Sequence, residues 1–244
     1  MSYQVRIDGA WPSPITISRG WSRAQARPWN DETTDGFLRL ERGGHEFLTA
    51  ASSRLVEYGS ETVYSPALYP SSTRVWTKAG FHEIHRLGVM ERSLSRPAED
   101  IRAPLSAESP DWDDLAALDH AAFEGFWRMG GEGLKEAVKA TSNSAILTRR
   151  TPSEIAGYVI VGSQWGVAYL QRLAVHPAHR GQDIGSDLVR GAINWARRTA
   201  SQVMVLNVRD ENKPAGRVYT KEGFTTTGTR LRILQRIPET KSDA

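Results

Sequence analysis

Three features of the chain predict an α/β (α+β) fold. Apolar runs of strand length and amphipathic, helix-like stretches follow one another through the second half. One junction, Leu173-Ala174-Val175-His176-Pro177-Ala178-His179-Arg180-Gly181-Gln182-Asp183-Ile184-Gly185-Ser186, reads as a strand end, a turn at Pro177, a basic glycine-containing loop and a helix start. Finally, Arg74-Val75-Trp76-Thr77-Lys78-Ala79-Gly80-Phe81 recurs as Arg217-Val218-Tyr219-Thr220-Lys221-Glu222-Gly223-Phe224. Six of the eight residues are identical at an offset of 143. Similarity at a domain-sized period reads as duplication.

In the first half, Glu46 to Val56 is helix-like, Thr62-Val63-Tyr64 is apolar, and Leu87 to Arg92 resembles a strand. Ser93 to Asp100 is polar and contains Pro97, as linkers do, so domains are expected at 1–98 and 99–244. In the second half, Ser109 to Asp119 looks like a capped helix start with acidic residues in its first turn. Gly130-Gly131-Glu132-Gly133 separates it from a second helix near Leu134 to Thr141. Strands are expected at Ser144–Thr148, Glu154–Val161 and Val167–Val175, with Gly166 and Ser163-Gln164-Trp165 suited to a hairpin turn. The helix after the basic loop keeps an apolar face through Ile184, Leu188, Ala192 and Trp195 or Ala196. Gln202 to Val208 has the length of a buried strand, and Leu231 to Arg236 is strand-like.

A loop of this kind turns several backbone N–H groups toward one spot, and the helix dipole adds positive potential there. Such a spot suits a phosphate or pyrophosphate. The order strand, loop, helix resembles the GNAT acyltransferases, whose Arg/Gln-x-x-Gly-x-Gly/Ala loop holds the pyrophosphate of acetyl-CoA. The six positions here are Arg180, Gly181, Gln182, Asp183, Ile184 and Gly185, with Asp183 where the family prefers Gly. Downstream, Asn212, Ala215, Tyr219 and Gly223-Phe224 stand at the spacing with which GNAT domains commonly close.

The resemblance implies a mixed, mostly antiparallel sheet flanked by helices, preceded by a partial, degenerate GNAT-like domain. In that first copy Trp76 replaces Tyr219, and the nearest glycine-rich segment, Arg42-Gly43-Gly44-His45, does not spell the loop. It also implies acetyl-CoA, or another acyl-CoA, as donor and direct acetyl transfer to a primary amine of a small molecule or peptide. The backbone of Leu173, Ala174 and Val175 would hold the pantetheine arm, and N–H groups from Gly181 to Ser186 the pyrophosphate. Asn212 would touch the pantetheine or the turn beside it. Tyr219 would face the sulfur and protonate the leaving thiolate. The fourth strand, Tyr169-Leu170-Gln171-Arg172-Leu173, lacks the Glu that many relatives use as base. A water chain or Glu124 remains, although Glu124 also reads as a surface charge. Phe123, Phe126, Trp127 and Met129 line an acceptor groove or pack against the first domain. A non-catalytic acyl-CoA-binding module and a scaffold are the competing readings.

Bulk properties narrow the classes. With 244 residues and a net charge of only +3, from 31 basic and 28 acidic side chains, no nucleic-acid partner is expected. His179, Arg180, Lys213 and Arg217 cluster around the proposed loop, while Arg190 reads as an ordinary solvated residue. There is no cysteine, which excludes disulfides, Cys-ligated zinc and a cysteine nucleophile. No metal is expected. The N-terminal residues form no apolar signal core and no run reaches membrane-spanning length, so a cytoplasmic protein without a membrane partner is expected. A homodimer is compatible with the resemblance.

Overall fold

Period-two burial builds the first strands of the computed structural model, which describes residues 5–30, 32–107 and 111–237. β1 (Arg6–Asp8), β2 (Ile15–Arg19), β3 (Ser22–Pro28) and β4 (Gly36–Arg42) pair antiparallel in sequence order. Ile15, Ile17, Ala24, Ala26 and Leu38 point into the core. None of these strands was expected, since their inward positions include alanines and their outward positions carry mostly Thr, Ser, Arg and Gln. No apolar run therefore marks these strands. α1 (His45–Glu57) buries Phe47, Leu48, Ala51 and Leu55, one stripe at helical spacing. It crosses to β5 (Val63–Tyr64), which lies parallel to β4 through the pairs Gly36–Val63 and Phe37–Tyr64. α2 (Arg74–Lys78) and β6 (His82–Ser93) follow.

α3 (Trp112–Ala122) begins at Asp111, whose carboxylate accepts the Asp113 N–H at 2.7 Å; Ser109 and Pro110 lie outside the described residues. Asp113 and Asp114 in its first turn suit the helix dipole. α4 (Gly131–Lys139) leads into β7 (Asn143–Arg150), β8 (Ile155–Gln164) and β9 (Val167–Val175), an antiparallel meander. The β8–β9 hairpin turns on Trp165 and Gly166, at φ 51° and 78°, the two positive values that a two-residue I′ turn needs. α5 (Ile184–Arg198) buries the expected Ile184, Leu188, Ala192 and Ala196, with Trp195 only partly covered. It carries the chain to β10 (Val203–Arg209), parallel to β9, and then to α6 (Lys213–Lys221) and β11 (Thr225–Arg236).

By contacts the chain divides into Met1–Leu87 with Thr229–Ala244, and Gly88–Gly228. In the first unit the strand order is β1-β2-β3-β4-β5-β11, and in the second β6-β10-β9-β8-β7. Thus β6 starts in the first unit and ends in the second, and β11 does the reverse. The divisions fall at 87/88 and 228/229. Ser93 to Asp100 belongs to the second unit, where Arg92 donates to the Pro97 carbonyl (2.9 Å) and Arg190 to that of Asp100 (3.1 Å).

Arg190 is not a solvated residue. Its side chain is 3 % exposed and bonds Glu222 at 2.9 Å and Glu99 at 2.6 Å. Its place on the covered face of α5 is tolerated because carboxylates satisfy the buried guanidinium.

Candidate functional site

The site of interest in the second unit starts from a defect in the sheet. Opposite Ile160 and Val161 of β8 stand Arg172 and Leu170 of β9, so Gln171 is an extra residue, a β-bulge. β9 pairs with β10 only through Val167–Val203, Ala168–Met204 and Tyr169–Val205. Beyond Tyr169 the two parallel strands part. The backbone of Leu173, Ala174 and Val175 therefore presents an edge with no strand partner on the β10 side. An extended chain of amides can add to such an edge.

The same strand delivers the basic loop. The His176 N–H donates to the Ala156 carbonyl at 2.9 Å, and Pro177–His179 form one 3₁₀ turn. Arg180 is extended and exposed, with its guanidinium on the Ala122 carbonyl at 2.9 Å. Gly181 at φ 79° and Asp183 at φ 57° then turn the chain sharply. Nothing lies within 4 Å of a Cβ placed on Gly181, so the backbone angle alone calls for glycine there. At the start of α5, the amides of Asp183, Ile184, Gly185 and Ser186 precede the first possible i−4 acceptor inside the helix, and among the described residues the amides of Gly181 and Gln182 have no backbone partner. A run of such N–H groups at the start of a 15-residue helix has the chemistry to accept an anion.

Asp183 sits at the N-cap without capping. Its carboxylate contacts Arg102 and, at 3.2 Å, Lys221. The Lys221 hydrogen bond and the Arg102 charge hold it below the usual carboxylate range. The expected repulsion between this carboxylate and a phosphate is thus offset by two cations.

Two further expected residues lie on α6. Asn212 is its N-cap, accepting the Ala215 N–H at 3.2 Å, so its oxygen is committed to the helix. Tyr219 is 6 % exposed, and its ring meets Phe224 edge-on at 6.0 Å. Burial pushes its phenol up to about 12, with the Arg172 charge opposing. The phenol therefore keeps its proton more firmly than the unperturbed value near 10 would suggest. Glu124 is exposed at the start of a 3₁₀ turn.

A polar cluster under the bulge was not anticipated. Asp119 of α3 is fully buried and takes two hydrogen bonds of 2.7 Å from Arg172, one of 2.6 Å from Tyr158 and one of 2.7 Å from the Met129 N–H. Arg172 also donates to the Trp127 carbonyl at 2.7 Å, and its guanidinium stacks 3.7 Å from the Phe123 ring. This cluster ties the segment between α3 and α4 to the bulged strand. Phe123 and Met129 accordingly pack at the margin of an apolar cluster around Leu115, Leu134 and Tyr158. The available signal was Asp119 one position from Leu118 and four from Leu115: a carboxylate on an apolar stripe needs a buried partner.

The profile of the Acetyltransferase (GNAT) family matches residues 112–224, which contain the bulged strand, the basic loop, α5 and Tyr219. Residues 112–224 are a GNAT acetyltransferase domain.

Relatives of the GNAT domain agree on the family and differ in substrate. An L-methionine sulfoximine/L-methionine sulfone acetyltransferase of Salmonella typhimurium is 40 % identical over 53 residues, 22 % of this chain and 31 % of that protein. A streptothricin acetyltransferase of Escherichia coli is 28 % identical over 91 residues, 37 % of this chain and 52 % of that protein. The chain thus spans between about a third and a half of these relatives. A tandem GNAT protein from the clavulanic acid biosynthesis pathway superimposes with a TM-score of 0.61 at 14 % identity, covering 97 % of this chain and 85 % of its own. That likeness concerns the fold. Among the described residues no helix is long and apolar enough to cross a membrane.

Proposed function

We propose that the second unit is an acetyl-CoA-dependent N-acetyltransferase that moves the acetyl group directly to a primary amine of a small molecule or peptide. The observation that carries this reading is the unpaired backbone edge of Leu173 to Val175 running into the unused N–H groups of Gly181 to Ser186. Together they match an amide-bearing arm joined to a pyrophosphate.

In this reading the pantetheine amides add to β9 as a short extra strand, and the pyrophosphate rests on the α5 N-terminus. The free amine attacks the thioester carbonyl carbon, the C–S bond breaks, and the sulfur takes a proton from the Tyr219 hydroxyl. The new amide loses its extra proton to water, because no carboxylate of β9 faces the reaction and Glu124 stays at the surface. With its pKa raised to about 12, Tyr219 is protonated across the neutral range. The N-terminal half repeats, in β4, α1, β5, α2 and β6, the order of β9, α5, β10, α6 and β11. We read it as a degenerate copy: between β4 and α1 it has only Gly43 and Gly44, too short for the loop.

Calorimetric titration of the full chain with acetyl-CoA is expected to give one site per chain, abolished by replacing Arg180 and Gly181. Free-thiol release over a panel of amines is expected to require both amine and protein. Two equivalent sites, or binding indifferent to the loop, would overturn the site. Binding without amine-dependent thiol release would instead favour a non-catalytic acyl-CoA-binding module.

A further inference from the structure

We propose that Glu154, His176 and His179 form a binding site for one divalent transition-metal ion of the zinc class. Their ligand atoms all lie within 4.8 Å of one another. The three positions are brought together by backbone, not by chance contact of long side chains. His176 and His179 flank a 3₁₀ turn, in which residues three apart eclipse, so both rings project from one side, 5.8 Å apart. Glu154 precedes β8, and its N–H and carbonyl are both fixed, to the Thr151 hydroxyl at 3.1 Å and the Thr151 N–H at 2.9 Å. The bond from the His176 N–H to the Ala156 carbonyl locks the two segments in register.

The chemistry of the set selects the ion. Two imidazoles and one carboxylate suit Zn²⁺, Co²⁺ or Ni²⁺, whereas Mg²⁺ and Ca²⁺ prefer all-oxygen shells. Metal–ligand distances of about 2.0–2.2 Å place tetrahedral ligand atoms roughly 3.3 Å apart. The His179 Nε2 to Glu154 Oε1 distance is already 2.8 Å, and the His176 ligand atom lies within 4.8 Å of both. In the ion's place, His179 Nε2 and Glu154 Oε1 stand at hydrogen-bond distance, a contact that metal ligation would replace. His176 gives up little, since its Nδ1 accepts only a long 3.3 Å bond from the Ala178 N–H. Glu154 retains 46 % of its side-chain exposure, leaving a fourth position to water. The neighbouring Arg180 does not oppose the ion closely, because its guanidinium is held by the Ala122 carbonyl.

The test uses the full chain after chelator treatment, without a histidine tag. Co²⁺ titration is expected to develop the visible absorption of a low-symmetry, near-tetrahedral site, and Zn²⁺ to bind by calorimetry at one equivalent per chain. His179→Ala and Glu154→Gln are each expected to weaken Zn²⁺ by at least about tenfold, more than loss of an outer-shell partner costs. His45→Ala, in the first unit, is expected to change nothing. Zn²⁺ should raise the melting temperature of the wild type and of His45→Ala but not of His179→Ala, whose metal-free melting temperature reports its folding. Absent visible bands, or a Zn²⁺ affinity that His179→Ala and Glu154→Gln leave unchanged, would overturn the site. Neither readout depends on acetyl transfer.

Discussion

The repeated octapeptide folds into the same object twice and is used differently each time. In both copies the short helix ends on a left-handed glycine, Gly80 at φ 86° and Gly223 at φ 84°. Phe81 N–H returns to the Trp76 carbonyl and Phe224 N–H to that of Tyr219, while the glycine N–H reaches Thr77 or Thr220. These are the paired bonds of a Schellman cap. The pattern of buried and exposed positions is the same in the two copies. Only two residues differ, and both differences change chemistry. Trp76 fills the first core with an edge-on contact to Phe81 at 4.9 Å, where Tyr219 brings a hydroxyl. Ala79 is apolar and buried, where Glu222 meets the buried Arg190. A shared helix cap thus carries an apolar core in one unit and polar machinery in the other.

The largest effect is expected from making the second copy like the first at this charge. Glu222→Ala leaves the buried Arg190 with the exposed Glu99, Asp187 at 3.9 Å and the Asp100 carbonyl as compensation. A loss of about 3 kcal/mol, the lower end for breaking a buried pair, is expected in denaturant unfolding. A loss below about 1 kcal/mol would show that Glu99 suffices.

Next is the phenol. Tyr219→Phe keeps the ring and removes the proton, so kcat is expected to fall about 10²-fold with acetyl-CoA affinity unchanged. Trp76→Phe at the matching place should lower the melting temperature and leave kcat alone. Equal kcat for Tyr219→Phe would remove it from the mechanism. The buried phenol also has a pH signature. Its pKa is raised to about 12, so the unfolded chain loses this proton first, and the stability from the neutral ring is complete below about pH 10 and lost as pH rises toward 12. Tyr219→Phe should flatten that part of the stability profile.

The caps themselves should break alike. Gly80→Ala and Gly223→Ala each force a Cβ into left-handed backbone, at a cost of about 1–2 kcal/mol. Gly223→Ala should be the worse, because its Cβ would stand 3.2 Å from Arg92 Nε, against 3.5 Å between Gly80 and Arg236. Reversal of that order in thermal melts would show that Arg92 moves aside freely.

The smallest effect concerns Asp183. Asp183→Gly keeps the left-handed turn available, deletes one negative charge and frees Arg102 and Lys221. Acetyl-CoA affinity is expected to rise about two- to threefold at low salt and to return toward the wild-type value at high salt, where exposed charges are screened. No change at low salt would mean that this carboxylate earns its place by holding the two cations toward the loop.

Periodicity and punctuation were enough to read much of the second unit. Pro177, Gly181 and the stripe from Ile184 to Ala196 announce a loop and a helix by local sterics and by apolar spacing, which neighbours in sequence determine. Gly223-Phe224 likewise specifies its own cap. The strands before residue 43 stayed hidden because alanines fill part of their inward face. Partners distant in sequence were equally invisible: Arg190 with Glu222, Asp119 with Arg172, and Glu154 with His179, separated by 32, 53 and 25 positions.

By itself the sequence marked several helix starts and stops, the turn chemistry of the loop before α5, and that a cap is used twice. Tertiary structure decided which charges are buried, where β9 and β10 separate, and which strands leave one unit for the other. The physical reason is range. Backbone sterics and side-chain periodicity act within a few residues, whereas a buried charge is tolerated only if the fold brings its counter-ion from elsewhere, and a strand edge is open only if the whole sheet leaves it so.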